Sequence, residues 1–88
     1  MNAEQASRLI FHPYITEKTF ALIERENKIA FIVHDTADKE SIKEAVKILY
    51  KVEPSEVNTV RTIYGKKAFV RMKTEGEARD LATKLGLV

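Results

Sequence analysis

The sequence predicts an α+β domain of two or three layers, with helices packed on an antiparallel sheet in the order β-α-β-α-β-β-α. Three stretches carry that expectation. Lys67-Ala68-Phe69-Val70-Arg71-Met72-Lys73 alternates strictly, so Ala68, Val70 and Met72 belong to one face of a sheet and Lys67, Phe69, Arg71 and Lys73 to the other. Ile29-Ala30-Phe31-Ile32-Val33 is a continuous apolar run of strand length, which suits a central strand covered on both faces. Ile42, Ala45, Val46, Leu49 and Val52 recur at intervals of three and four, the spacing of one helical face.

Taken in order, Arg8-Leu9-Ile10-Phe11 reads as a short strand stopped by His12-Pro13, because proline disfavours helix at the residue before it. Residues 1–7 are expected to be flexible. Thr16 offers an N-cap oxygen and Glu17 a carboxylate at the positive end of a helix dipole, so a helix is predicted from Glu17 to Glu26, its buried edge formed by Phe20 and Ile23. Asn27-Lys28 is read as a turn into the apolar strand. Asp38 caps the next helix, which Glu53-Pro54 ends. Lys39, Lys43, Lys47 and Lys51 form a stripe along it, partly offset by Glu40 and Glu44, and read as a solvated face. A hairpin follows between Val57 and Lys73, turning at Tyr64-Gly65-Lys66. Thr74 and Glu77 have capping-box spacing, and Ala78, Leu81, Ala82 and Leu85 supply the apolar stripe of a last helix ending near Gly86.

Length and composition bound the function. A chain of 88 residues is one domain, able to bury roughly 60 to 65 per cent of its unfolded surface. There is no cysteine, hence no disulfide framework or zinc-thiolate cluster, a composition suited to a reducing compartment. No apolar run approaches the roughly 20 residues that cross a bilayer, and residues 1–7 contain Glu4 without a basic region and apolar block, so no signal peptide is read. The expectation is a soluble, intracellular protein. The net charge is only +2, so any polyanion partner must be argued from where charges sit. Between Val57 and Thr74 stand Arg61, Lys66, Lys67, Arg71 and Lys73 with no Asp or Glu, the footprint of a nucleic-acid surface.

Catalytic and metal patterns do not emerge. Gly65, Gly76 and Gly86 are explained as turn or helix-end residues, no nucleophile stands beside a base, and His12 and His34 lack metal-ligand neighbours at two or four residues. No enzyme activity and no cofactor are expected. Ala68-Phe69-Val70 partly matches the main strand octamer of the RNA recognition motif, but Gly65, Lys66, Lys67 and Met72 stand where the octamer has other residues. With a single aromatic on the basic face, phosphate contact is the expected mechanism.

Four ordered blocks, Pro13-Tyr14-Ile15-Thr16-Glu17-Lys18, Ile42-Lys43-Glu44-Ala45-Val46, Val57-Asn58-Thr59 and Lys66-Lys67-Ala68-Phe69-Val70, resemble the universal large-subunit ribosomal protein twenty-three family. The resemblance covers nearly the whole chain from Leu9. It implies a small alpha-beta plait that binds large-subunit rRNA near the polypeptide exit tunnel, beside large-subunit ribosomal protein twenty-nine, in a docking platform for nascent-chain factors such as the signal recognition particle. On the family motifs, Thr16, Lys18, Asn58 and Thr59 are expected to bond RNA backbone or sugar, and Glu17 to face docking factors. Arg61, Lys66, Lys67, Arg71 and Lys73 are expected on rRNA phosphates. The chain has neither the long loop that bacterial members insert between the last two strands nor the basic amino-terminal extension of eukaryotic members, and is similar to the compact archaeal form. The competing expectations are a free RNA-binding module of the recognition-motif type and a non-enzymatic protein interaction domain.

Overall fold

The computed structural model describes residues 1–63 and 65–87. These form four helices and four strands: α1 (Ala3–Leu9), β1 (Ile10–Pro13), α2 (Glu17–Glu26), β2 (Lys28–Val33), α3 (Lys39–Tyr50), β3 (Pro54–Thr62), β4 (Gly65–Met72) and α4 (Glu77–Lys84). The strands make one antiparallel-paired sheet in the order β1-β2-β4-β3. The expected α+β architecture is present, with one helix more than the sequence suggested.

That helix is a correction. Residues 3–9, expected to be flexible and then a strand from Arg8, are helical because Asn2 Oδ1 accepts from the Gln5 amide and Gln5 returns a bond to the Asn2 amide. The reciprocal cap satisfies two amides of the first turn. Ala6 is fully buried, and α1 packs against α3. The first strand therefore starts at Ile10 rather than Arg8 and runs on through His12 to Pro13.

Elsewhere the local chemistry acts largely as expected. Thr16 caps α2 in a reciprocal pair with Thr19, and Asp38 caps α3 in another with Ser41. Helix α3 buries Ile42, Ala45 and Val46 completely. It stops at Tyr50, before the proline, because Lys51 takes a left-handed conformation with φ 58°. Pro54 instead opens β3, an edge strand, where its missing amide leaves no inner ladder bond unmade. Tyr50 stacks on Phe31 with centroids 5.3 Å apart, and partial burial pushes its phenol above its ordinary pKa.

Two of the three residues expected in the hairpin turn belong to β4 instead. Gly65 and Lys66 are already paired, with Thr62 and Arg61, and the Tyr64 part of the expected turn lies outside the described residues. Gly65 has φ +125°, which side chains rarely adopt, so glycine is required there by backbone conformation; an added Cβ would meet only ordinary contact with Ile32.

The start of α4 is the second correction. Its N-cap is Gly76, and no side chain of the helix or its preceding segment caps it, so the Thr74–Glu77 capping box does not form. The Ala78 amide instead donates to Asn27 Oδ1 at 2.9 Å. Asn27, left-handed at φ 56°, also donates through Nδ2 to the carbonyls of Met72 at 3.2 Å and Thr74 at 2.8 Å. One side chain thus ties the end of α2, the end of β4 and the start of α4.

The core joins Phe31, Ile29, Val33, Ala68, Val70 and Met72 of the sheet to Ile23, Ile42, Val46, Ala78, Leu81 and Ala82 of the helices. In β4, Ala68, Val70 and Met72 are buried while Lys67, Phe69 and Arg71 are only partly so. Two-residue alternation has divided the strand as its sequence predicted.

Candidate nucleic-acid interface

The outward row of β4 is Lys67, Phe69 and Arg71. Register places Ile32, Ala30 and Lys28 of β2 on one side of it and Val60, Asn58 and Glu56 of β3 on the other. Paired residues share a face, so these nine form one surface. Ala30, the register partner of Phe69, has only a methyl group on this row and is buried. Tyr14 is held nearby because its amide donates to the Ala30 carbonyl at 2.8 Å, continuing the β1–β2 pairing past Pro13.

The result is a groove of about 470 Å³ between β4 and the first turns of α2, lined by Tyr14, Thr16, Lys18, Thr19, Ala21, Leu22, Lys67 and Phe69. Its walls are mainly apolar, and among these lining residues there are two lysines and no carboxylate. Lys67 Nζ lies 4.0 Å from the centroid of the Tyr14 ring. That placement is a cation–π contact, which orients the ammonium without neutralising it.

Charge pairing separates the five hairpin cations, which looked alike in sequence. Arg71 reaches Glu26 at 3.6 Å, Lys73 reaches Glu53 at 3.9 Å and Arg61 reaches Asp35 at 3.8 Å. Lys66 Nζ donates to the Ala37 carbonyl at 2.6 Å. The segment free of acids in sequence is thus supplied with them by α2 and by the loops after β2 and α3. Among the described residues, Lys67 is the hairpin cation with neither a carboxylate nor a carbonyl partner.

The faces divide the expected contacts further. Lys66 and Arg61 form one register pair, and Thr59 is paired with buried Ala68, so these three belong to the face opposite Lys67. Asn58 is exposed beside Phe69, although its Nδ2 donates to Glu56 at 2.9 Å. Lys73 lies beyond the end of β4. The groove therefore gathers Thr16, Lys18 and Lys67, with Asn58 and Arg71 on the adjoining row; Arg61, Lys66, Thr59 and Lys73 lie off it. Glu17, in the first turn of α2, is exposed beside Thr16.

Two groove features were not legible as such in sequence. Tyr14 was visible only as part of a motif, and nothing local signalled that it would meet Lys67, 53 residues later. Thr19 had no role assigned from sequence, yet it is only 5 % exposed, its hydroxyl engaged with Thr16. Its spacing of four from Ile23 was the available signal.

Fold and surface together define a small α+β domain with an aromatic, cation-rimmed groove. No group of three His, Cys, Asp or Glu side chains suited to a metal occurs among the described residues, and no described helix is long and apolar enough to cross a membrane. The family model for ribosomal protein L23 matches residues 8–84, and the chain belongs to that family. It is 47 % identical over 76 residues to the large ribosomal subunit protein uL23 of Methanococcus vannielii, covering 85 % of this chain and 88 % of the relative. The corresponding protein of Methanococcus aeolicus is 45 % identical with the same coverage. The uL23A protein of Caenorhabditis elegans is 43 % identical over 82 residues, 92 % of this chain but 56 % of that protein. The compact form matches the two Methanococcus proteins over most of their length. The chain is accordingly a structural ribosomal protein and not an enzyme, a component of the cytoplasmic translation machinery. The expectation of a free recognition-motif module gives way to this membership.

Proposed function

We propose that this chain binds large-subunit rRNA through the β4 row and the α2 rim, with Lys67, Lys18 and Arg71 on phosphates and Thr16 and Asn58 on backbone or sugar oxygens. The observation that carries the reading is Lys67, a half-buried residue whose ammonium is held over an aromatic ring with no carboxylate partner among the described residues. A cation in that state has its charge available for a phosphate. Arg71 is weaker support, since Glu26 competes for it. Arg61, Lys66, Thr59 and Lys73 would serve only RNA that wraps beyond this face.

A position near the polypeptide exit tunnel, a neighbouring large-subunit ribosomal protein twenty-nine, and docking of nascent-chain factors such as the signal recognition particle through Glu17 follow from family resemblance. The exposure of Glu17 is compatible with docking. A carboxylate at the first turn gains from the helix dipole in any case, by about 0.3–1 kcal/mol.

The test is binding of the purified chain to large-subunit rRNA transcripts across a salt series. Lys67→Ala is expected to weaken binding and to flatten the log–log salt slope by about 0.7–0.9, the value for one lost phosphate contact. Unchanged affinity and slope in the Lys67→Ala, Arg71→Ala double variant would show that this face is not the RNA surface.

A further inference from the structure

The basic strand face has one aromatic residue in sequence, which argued against base stacking, but the fold adds a second. Tyr14 comes from the segment before α2 and lines the same groove as Phe69. Neither ring is fully buried, and Ala21 and Leu22 extend the apolar wall between them and the helix. The volume, about 470 Å³, falls within the roughly 300–1,000 Å³ typical of small-molecule sites. Its rim carries Lys18, Lys67 and the Thr16 hydroxyl.

We propose that the groove between α2 and β4 receives one unpaired rRNA base, stacked against the Phe69 ring, with its flanking phosphates held by Lys67 and Lys18. The inference rests on the rRNA-binding reading and adds to it a nucleotide-sized subsite. Charge and shape select this occupant. An apolar slot with aromatic walls takes the flat face of any base, and each base is joined to phosphates that need cations at the rim. A hydrophobic protein side chain would use the slot but leave two lysines without acidic partners. The cation–π contact also fixes Tyr14, so the wall is ordered before binding and less conformational entropy is lost.

Phe69→Leu removes the ring while retaining an apolar side chain, and Phe69→Tyr retains the ring. Both are compared with the native chain on large-subunit rRNA transcripts over a salt series, with chemical probing of the RNA. Phe69→Leu is expected to bind about 5- to 150-fold more weakly, the loss of one stacked base, with the salt slope unchanged. One unpaired nucleotide protected by the native chain should become reactive with Phe69→Leu and stay protected with Phe69→Tyr. Native binding with no effect of Phe69→Leu would overturn the base site alone. Failure of the native chain to bind any transcript would overturn the rRNA reading and this inference with it. If Phe69→Leu also lowers the melting temperature, a photoreactive phenylalanine analogue at position 69 in assembled subunits decides: crosslinking to rRNA supports the site, and crosslinking only to protein refutes it.

Discussion

Asn27 is the position at which a single small side chain should matter most to stability. Its amide group makes three hydrogen bonds across separate elements, to the Met72 and Thr74 carbonyls and from the Ala78 amide. At a net value of about 0.5–1.5 kcal/mol each, discounted for the exposed Thr74 bond, their loss should cost about 2–3 kcal/mol. The backbone at φ 56° adds a separable contribution. Glycine accepts that conformation, whereas alanine is strained there by about 1 kcal/mol or more. Asn27→Gly should therefore destabilise by the side-chain contribution, and Asn27→Ala by about 1 kcal/mol beyond it. For a domain of this size each kcal/mol corresponds to about 4–8 °C in melting temperature. Urea unfolding followed by circular dichroism measures both variants. Melting of Asn27→Gly within about 2 °C of the native chain would refute the three-way tie, and equal stability of the two variants would refute the backbone contribution.

Lys66→Met keeps the aliphatic stem and removes the charged bond to the Ala37 carbonyl, so a loss of about 1.5–3 kcal/mol in stability is expected from thermal unfolding. If stability is unchanged while rRNA affinity falls, Lys66 is an RNA contact instead. Asp38 has its pKa held below the ordinary 3.8, chiefly by the Ser41 amide and then by the Ser41 hydroxyl, desolvation opposing and Lys66 assisting. Since the folded value is depressed, the native state gains stability from this group above the unfolded value, and that gain is lost as pH falls through the lower folded value. Asp38→Asn should accordingly flatten the stability profile below pH 3.8 and alter its shape little near neutrality; an identical acid limb in both chains would refute the assignment.

What could be read from the chain before folding was local in origin. The alternation of Lys67–Met72, the helical spacing of Ile42, Ala45 and Val46, and the caps at Thr16 and Asp38 each depend on residues within one or two turns, and each is realised in the structure. The Asn2–Gln5 cap of α1 was equally local and was missed, because residues 1–7 have almost no apolar periodicity and Ala6 is the one buried residue of the helix. Tertiary structure decided the rest, since hydrogen bonds and charges act through space. Thr74 had cap spacing, yet Asn27, 51 residues before Ala78, supplies the acceptor. Five hairpin cations formed one basic run, yet pleating sent Arg61 and Lys66 to the face opposite Lys67 and Arg71, and chain return brought Asp35, Glu53 and Glu26 to three of the five. Sequence by itself determined a basic strand with one aromatic. Only the packing of the Tyr14 segment and α2 beside β4 made a groove of it, because its walls come from segments about 50 residues apart in the chain that only folding brings together.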